Sequence, residues 1–145
     1  MSRVDFYLLP QSGDQSRRLF ACALAQKAWK AGNRVCLLAG DRAQAGELDD
    51  LLWTFRDISF VPHALADSAD AGSVPILIEW EEAGNAGDAD VLVNLGDRMP
   101  SAANNFARIA EIVGGDADQR ETARERYRQY RNQGHELYNH TIDST

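Results

Sequence analysis

Five arginines fall within a dozen residues near the end of the chain: Arg120, Arg124, Arg126, Arg128 and Arg131. On a helix, Arg120, Arg124, Arg128 and Arg131 follow the i, i+4, i+8, i+11 pattern and form one stripe. Tyr127 and Tyr130 flank that stripe. Guanidinium forks bind carboxylates bidentately, and tyrosine adds an apolar wall beside them. Two readings follow from the residues. One is a solvated helix in which Glu121 and Glu125 pair with neighbouring arginines. The other is a pocket for an acidic peptide that carries aromatic side chains. Nucleic acid is a third ligand for an arginine run. It is disfavoured here because 22 acidic and 15 basic side chains give a net charge of −7, whereas phosphate binding needs clustered excess cations.

A second group of large side chains lies at Leu51-Leu52-Trp53, Phe55 and Phe60-Val61-Pro62-His63. Leu51 and Leu52 read as core. Trp53 and Phe60 lie beside a Pro-broken stretch, where both a core role and an exposed protein-binding patch fit the pattern.

Other chemistry is missing. The loop Pro10-Gln11-Ser12-Gly13-Asp14 follows the first apolar run but has a single glycine and no lysine, so it matches neither phosphate-binding pattern. His135 and His140 have no cysteine beside them and read as solvated rather than metal-bound. His63 has no nucleophile near it in sequence and reads as structural or interfacial. Cys22 and Cys36 fall inside apolar patterns and read as small core residues. The pairs Asp49-Asp50 and Glu81-Glu82 are adjacent, which suits a solvated face better than acid–base work. No catalytic constellation assembles, and no cofactor is implied.

These groups need elements to position them. A chain of 145 residues with 44% apolar and 26% charged side chains suits one globular domain. Val4–Leu9, Arg34–Ala39, Pro75–Trp80 and Asp90–Leu95 read as strands. Gln15–Ala31, a stretch from Asp41, Ala102–Val113 and about Asp116–Asn132 read as helices, the last stopped at Gly134. Ala64–Ser73 and Glu81–Ala89 read as loops. Strand alternating with helix predicts an α/β fold with a mostly parallel sheet. The expected organisation is one domain over 1–134 and a flexible tail over 135–145. No apolar run reaches membrane-spanning length, and the start of the chain shows no signal-peptide pattern. The sequence reads as soluble and cytoplasmic, with no membrane partner.

The sequence resembles the chi-subunit family of bacterial DNA polymerase III, which belongs to the clamp-loader assembly. The resemblance rests on Phe6-Tyr7-Leu8-Leu9, Leu48 to Trp53, and Phe60-Val61-Pro62-His63-Ala64-Leu65-Ala66. It continues through Pro75 to Trp80, Asp90 to Leu95, and Ala123 to Arg131 with Gly134. These segments occur in the family's order along nearly the whole chain. The resemblance implies a Rossmann-like three-layer α/β/α fold with no phosphate-binding loop, and a non-enzymatic adaptor within the bacterial replisome. One surface would bind the psi subunit and another the acidic, aromatic C-terminal tail of the single-stranded-DNA-binding protein, so that DNA is engaged only indirectly. By motif, the tail site falls on Val113, Arg120, Arg124, Tyr127 and Arg128, with Arg120 in place of a family lysine. The psi surface falls on Trp53, Phe60, Val61, Pro62 and His63, and in some bacteria a repair helicase uses that surface. Gly114-Gly115 departs from the family's proline-containing turn, which leaves the pocket edge open. The segment Glu81 to Ala89 carries no assigned role. The alternative is a small Rossmann-like enzyme or nucleotide-binding protein with a degenerate phosphate loop.

Overall fold

In the computed structural model, described over residues 2–54, 62–69, 71–80, 89–96, 99–100 and 106–142, strands and helices alternate as the apolar runs predict. In chain order they are β1 (Arg3–Leu8), α1 (Asp14–Lys30), β2 (Val35–Ala39), α2 (Arg42–Thr54) and β3 (His63–Leu65). They continue with β4 (Ile76–Trp80), β5 (Val91–Asn94), β6 (Arg108–Val113), α3 (Ala117–Asn132) and β7 (Glu136–Thr141). The strands form one sheet in the order β3-β4-β2-β5-β6-β1-β7, and each of these neighbouring pairs is parallel.

Side chains alternate across the sheet and bury both of its faces. Val35, Leu37, Ile76, Ile78, Val93 and Ile112 meet Ala21, Ala25, Leu48 and Leu52 of α1 and α2. On the opposite face, Val4, Phe6, Leu92, Ile109 and Val113 meet Ala123 and Tyr130 of α3. The result is the expected three-layer α/β/α sandwich.

Two expected elements differ. The spacing of Phe106, Ile109, Ala110 and Val113 predicts a helix over 102–113. Instead Arg108–Val113 is β6, an interior strand between β5 and β1, and residues 101–105 lie outside the described residues. A strand buried on both faces loses its apolar–polar alternation, so its apolar positions also satisfy a helical template. The expected tail over 135–145 contains β7, which pairs with β1 from Arg3↔Glu136 to Leu8↔Thr141. Its polar sequence Glu-Leu-Tyr-Asn-His-Thr suits an edge strand whose surface is largely solvated. A shorter difference is β3, which begins at His63 and takes Ala64 and Leu65 from the stretch read as a loop.

The first and last strands are tied by charge as well as by their ladder. Asp5 is buried and accepts hydrogen bonds from Arg3, from Arg108 of β6 at 3.0 Å and from His140 of β7 at 2.8 Å. Burial alone would raise the Asp5 pKa, but these three partners outweigh it and hold the carboxyl below its usual range.

The turn from α3 into β7 passes through Gly134, whose φ of +87° suits glycine, and then through buried His135. The Ser2 N–H donates to His135 Nδ1 at 3.0 Å, which requires a lone pair there. Burial lowers the His135 pKa. A histidine kept neutral in the folded state stabilises the fold above its unfolded pKa of about 6.5, and that contribution is lost as pH falls toward the lower folded value. We therefore expect the wild-type melting temperature to drop, as pH falls below about 6.5, more steeply than that of His135→Phe, which keeps a ring against Tyr130. Each pH unit over which only the unfolded chain is protonated costs about 1.4 kcal/mol. Parallel profiles for the two proteins would refute this role.

Candidate functional site

α3 carries two sets of arginines with different fates. Ala123, Arg126 and Tyr130 recur at helical spacing and form its buried face. Arg126 is therefore a charged residue in a core position, and the sheet supplies its partners. Its Nη1 donates to Glu111 Oε1 at 2.8 Å and its Nη2 to the Gly96 carbonyl at 2.9 Å. Glu111 Oε2 accepts from Tyr130 OH at 2.6 Å and from Asn94 Nδ2 at 3.0 Å. Asn94 Oδ1 in turn accepts from the Gly96 N–H at 2.9 Å. Burial, reinforced by Glu111, pushes the Tyr130 pKa far up, so its hydroxyl remains a donor. The sequence did not expose this network, because Arg126 looked like one more member of a solvated run.

The remaining arginines face outward. Arg120 is half-buried, and its Nη2 donates to the Leu9 carbonyl at 2.8 Å. That bond pins the guanidinium over the end of β1. Arg124 is exposed and makes no hydrogen bond or ion pair among the described residues. Arg128 makes an exposed contact with Glu125 at 2.6 Å, a type of pair worth little in water. Tyr127 lies between them and the sheet, its ring 5.5 Å from that of Phe6, with the Arg131 guanidinium 5.2 Å from its centroid.

Together these residues build a groove of 430 Å³ between α3 and the β1–β7 edge. Its floor is Phe6, Leu8, Ala123 and Tyr127, its helical wall Arg120, Arg124 and Arg128, and its far side carries Asn139. Arg124 and Arg128 also border a neighbouring, more polar cavity of 570 Å³ that includes Met99 and Glu121. Four of the five expected tail-site residues thus share one groove. Val113 does not line it. It is buried on β6 and faces an adjoining cavity beside Gly96 and Glu111. Phe6, Leu8 and Asn139 were missed by sequence reasoning. The alternation in β1 holds the signal for Phe6 and Leu8, whereas Asn139 becomes visible only once β7 is a strand.

The second expected surface is a corner between α2 and β3. Trp53 is 54% exposed, so it is not core. Its ring lies 4.7 Å from that of His63. His63 is buried, with its Nε2 3.3 Å from Asp49 Oδ1. Asp49 precedes Trp53 by one helical turn, so both reach the same imidazole. His63 thus supports Trp53 from below. Pro62 is partly exposed, and Phe60 and Val61 lie outside the described residues.

Ligands of doubly wound folds bind beyond the carboxyl ends of the strands. Here Arg17 of α1 is buried at that end, donating through Nε to the Ile112 carbonyl at 3.0 Å. A Cβ on Gly115 would lie 2.6 Å from the Pro10 carbonyl oxygen, so the two loops at this end touch. Burial raises the Cys22 thiol to about 12 and Cys36 well above its usual value, leaving both as poor nucleophiles. Among the described residues, no three His, Cys, Asp or Glu side chains are grouped to hold a metal, and no helix is long and apolar enough to cross a membrane.

A family profile described as DNA polymerase III chi subunit, HolC, matches residues 1–138. The chain belongs to the DNA polymerase III chi family. Among proteins named DNA polymerase III subunit chi, that of Pseudomonas aeruginosa is 42% identical over 142 residues, covering 98% of each chain. The Haemophilus influenzae protein is 35% identical, covering 92% of this chain and 93% of its own. The Escherichia coli protein is 32% identical, covering 94% and 96%. Membership in the chi family places the protein in DNA replication. The Trp53 corner lies within the matched span, as does every groove residue except Asn139, one position past its end.

Proposed function

We propose that this chi-family protein is a non-catalytic adaptor that links the polymerase III clamp loader to DNA coated with single-stranded-DNA-binding protein. The α3 groove takes the acidic, aromatic C-terminal tail of that protein. The Trp53 corner takes the psi subunit, and a repair helicase competes for the same corner where one is present. DNA is engaged only through these partners, in the bacterial cytoplasm. The observation that carries the reading is the groove's composition: three guanidiniums along one wall of an apolar, aromatic floor. Carboxylates of a peptide pair with the wall, and its aromatic side chain packs on Tyr127 and Phe6. The buried Arg17 and the touching loops at the carboxyl end of the sheet favour this reading over nucleotide chemistry.

Titration calorimetry with an acidic tail peptide tests the groove. Arg124→Ala is expected to weaken binding by about 2–3 kcal/mol, roughly 30- to 150-fold, as for a charge-assisted hydrogen bond that loses one partner. Added salt is expected to weaken wild-type binding, because charges on an open wall are screened. An unchanged dissociation constant in a normally folded Arg124→Ala protein would remove the groove as the tail site.

A further inference from the structure

The two sides of the α3 groove differ in chemistry. The helical wall is cationic and can only donate hydrogen bonds. The opposite side is β7, where Asn139 is exposed and its side chain makes no hydrogen bond among the described residues. Asn139 stands directly across from Phe6 in the β1–β7 register, so its carboxamide sits beside the aromatic floor. We propose that Asn139 is a specificity-determining residue that reads the main chain of the bound acidic peptide; this rests on the peptide-groove reading above.

A carboxamide offers one acceptor and two donors, the complement of a peptide group's N–H and C=O. One asparagine can therefore take both polar groups of a single peptide residue, which no arginine can do. The backbone that carries it is fixed at both ends. The Glu136 N–H donates to the Ser2 carbonyl and the Ile142 N–H to the Leu8 carbonyl, each at 3.0 Å.

Dimensions give this contact a role in register. Arg120 to Arg128 spans about 12 Å of helix, at 1.5 Å per residue. That length accommodates roughly four residues of extended peptide. Long arginine side chains follow a carboxylate that shifts along the groove. A main-chain contact to a fixed strand does not, and a one-residue slip of an extended peptide also turns its side chains to the opposite face. The arginines thus supply charge attraction, while Asn139 selects the alignment that puts the aromatic side chain on the floor.

The test is calorimetry of an acidic, aromatic peptide with wild type, Asn139→Ala and Asn139→Asp at several salt concentrations. Asn139→Ala is expected to bind about five- to tenfold more weakly, the loss of an ordinary hydrogen-bonded contact, with the salt dependence of wild type retained. Asn139→Asp, which cannot donate and repels carboxylates, is expected to be weaker still. Methylating the contacted peptide nitrogen should cost wild type a similar factor and cost Asn139→Ala little more. Because Asn139 is exposed, both variants are expected to melt like wild type. Asn139→Ala binding within twofold of wild type, or N-methylation losses that simply add to those of the variant, would overturn the assignment while leaving the groove intact. If wild type binds no such peptide, the groove reading fails and this inference fails with it.

Discussion

Glu111→Ala is expected to lower stability by about 3–5 kcal/mol, the usual cost of removing one member of a buried ion pair. Three donors lose their acceptor at once: the Arg126 guanidinium, the Tyr130 hydroxyl and the Asn94 amide. Arg126 is 7% exposed and Tyr130 fully buried, so water does not readily replace the carboxylate. Urea unfolding is the measurement, and a midpoint about 2 M lower is expected at a slope near 2 kcal/mol/M. Replacing both charged partners by apolar residues, Glu111→Leu with Arg126→Met, is expected to cost less than Glu111→Ala, because no unpaired charge remains. A loss below about 1 kcal/mol for Glu111→Ala would mean that α3 is held by its apolar contacts alone. The groove depends on this pair, because the helix that presents Arg120, Arg124 and Arg128 is anchored through Arg126.

Trp53→Ala is expected to abolish copurification with the psi subunit. Truncating an aromatic anchor at the centre of an interface commonly costs 2 kcal/mol or more, over about thirtyfold in affinity. Because Trp53 is 54% exposed, its removal opens no core cavity, and the melting temperature is expected to stay within about 2 °C of wild type. Affinity for the acidic tail peptide is expected to remain within about threefold, since α3 and the α2–β3 corner share no side chain. A normally folded Trp53→Ala protein that still retains psi would exclude this corner. Loss of both partners together would show that the two surfaces are coupled.

Much of this architecture is legible in the sequence, and the exceptions have physical causes. β1, β2, β4 and β5 are short apolar runs closed by Pro, Gly or polar residues, so they read as strands. α1 and α3 end where glycine follows, at Gly32 and Gly134. β6 was misread because a strand buried on both faces has apolar residues at positions that also suit a helix. β7 was missed for the opposite reason: an edge strand needs little apolar surface, and Asn139, His140 and Thr141 look like a tail until β1 is beside them. In the site, the i, i+4, i+8 spacing placed Arg120, Arg124 and Arg128 on one wall. The same spacing could not reveal that Arg126 points inward, because its partner Glu111 lies on a strand read as a helix. Trp53 had no decisive signal, since burial depends on what packs over the end of α2.

The pairing of β1 has a consequence for the order in which the protein is made. β1 emerges first from the ribosome, yet its neighbours are β6 and β7, and the Ser2–His135 contact spans 133 positions. At about 5–20 residues per second, synthesis of the intervening hundred or so residues takes roughly 5–20 s. During that interval β2, β4 and β5 can pair among themselves and collect α1 and α2, while β1 has no strand to join. The α3 groove, which takes Phe6 and Leu8 of its floor from β1 and its far side from β7, is therefore completed last, after the final turn of α3 has left the exit tunnel. Contacts this distant in sequence also slow refolding. A nascent chain stalled before residue 135 would expose Phe6 and Leu8 along an open strand edge, the form most exposed to proteases and to misassembly with other chains.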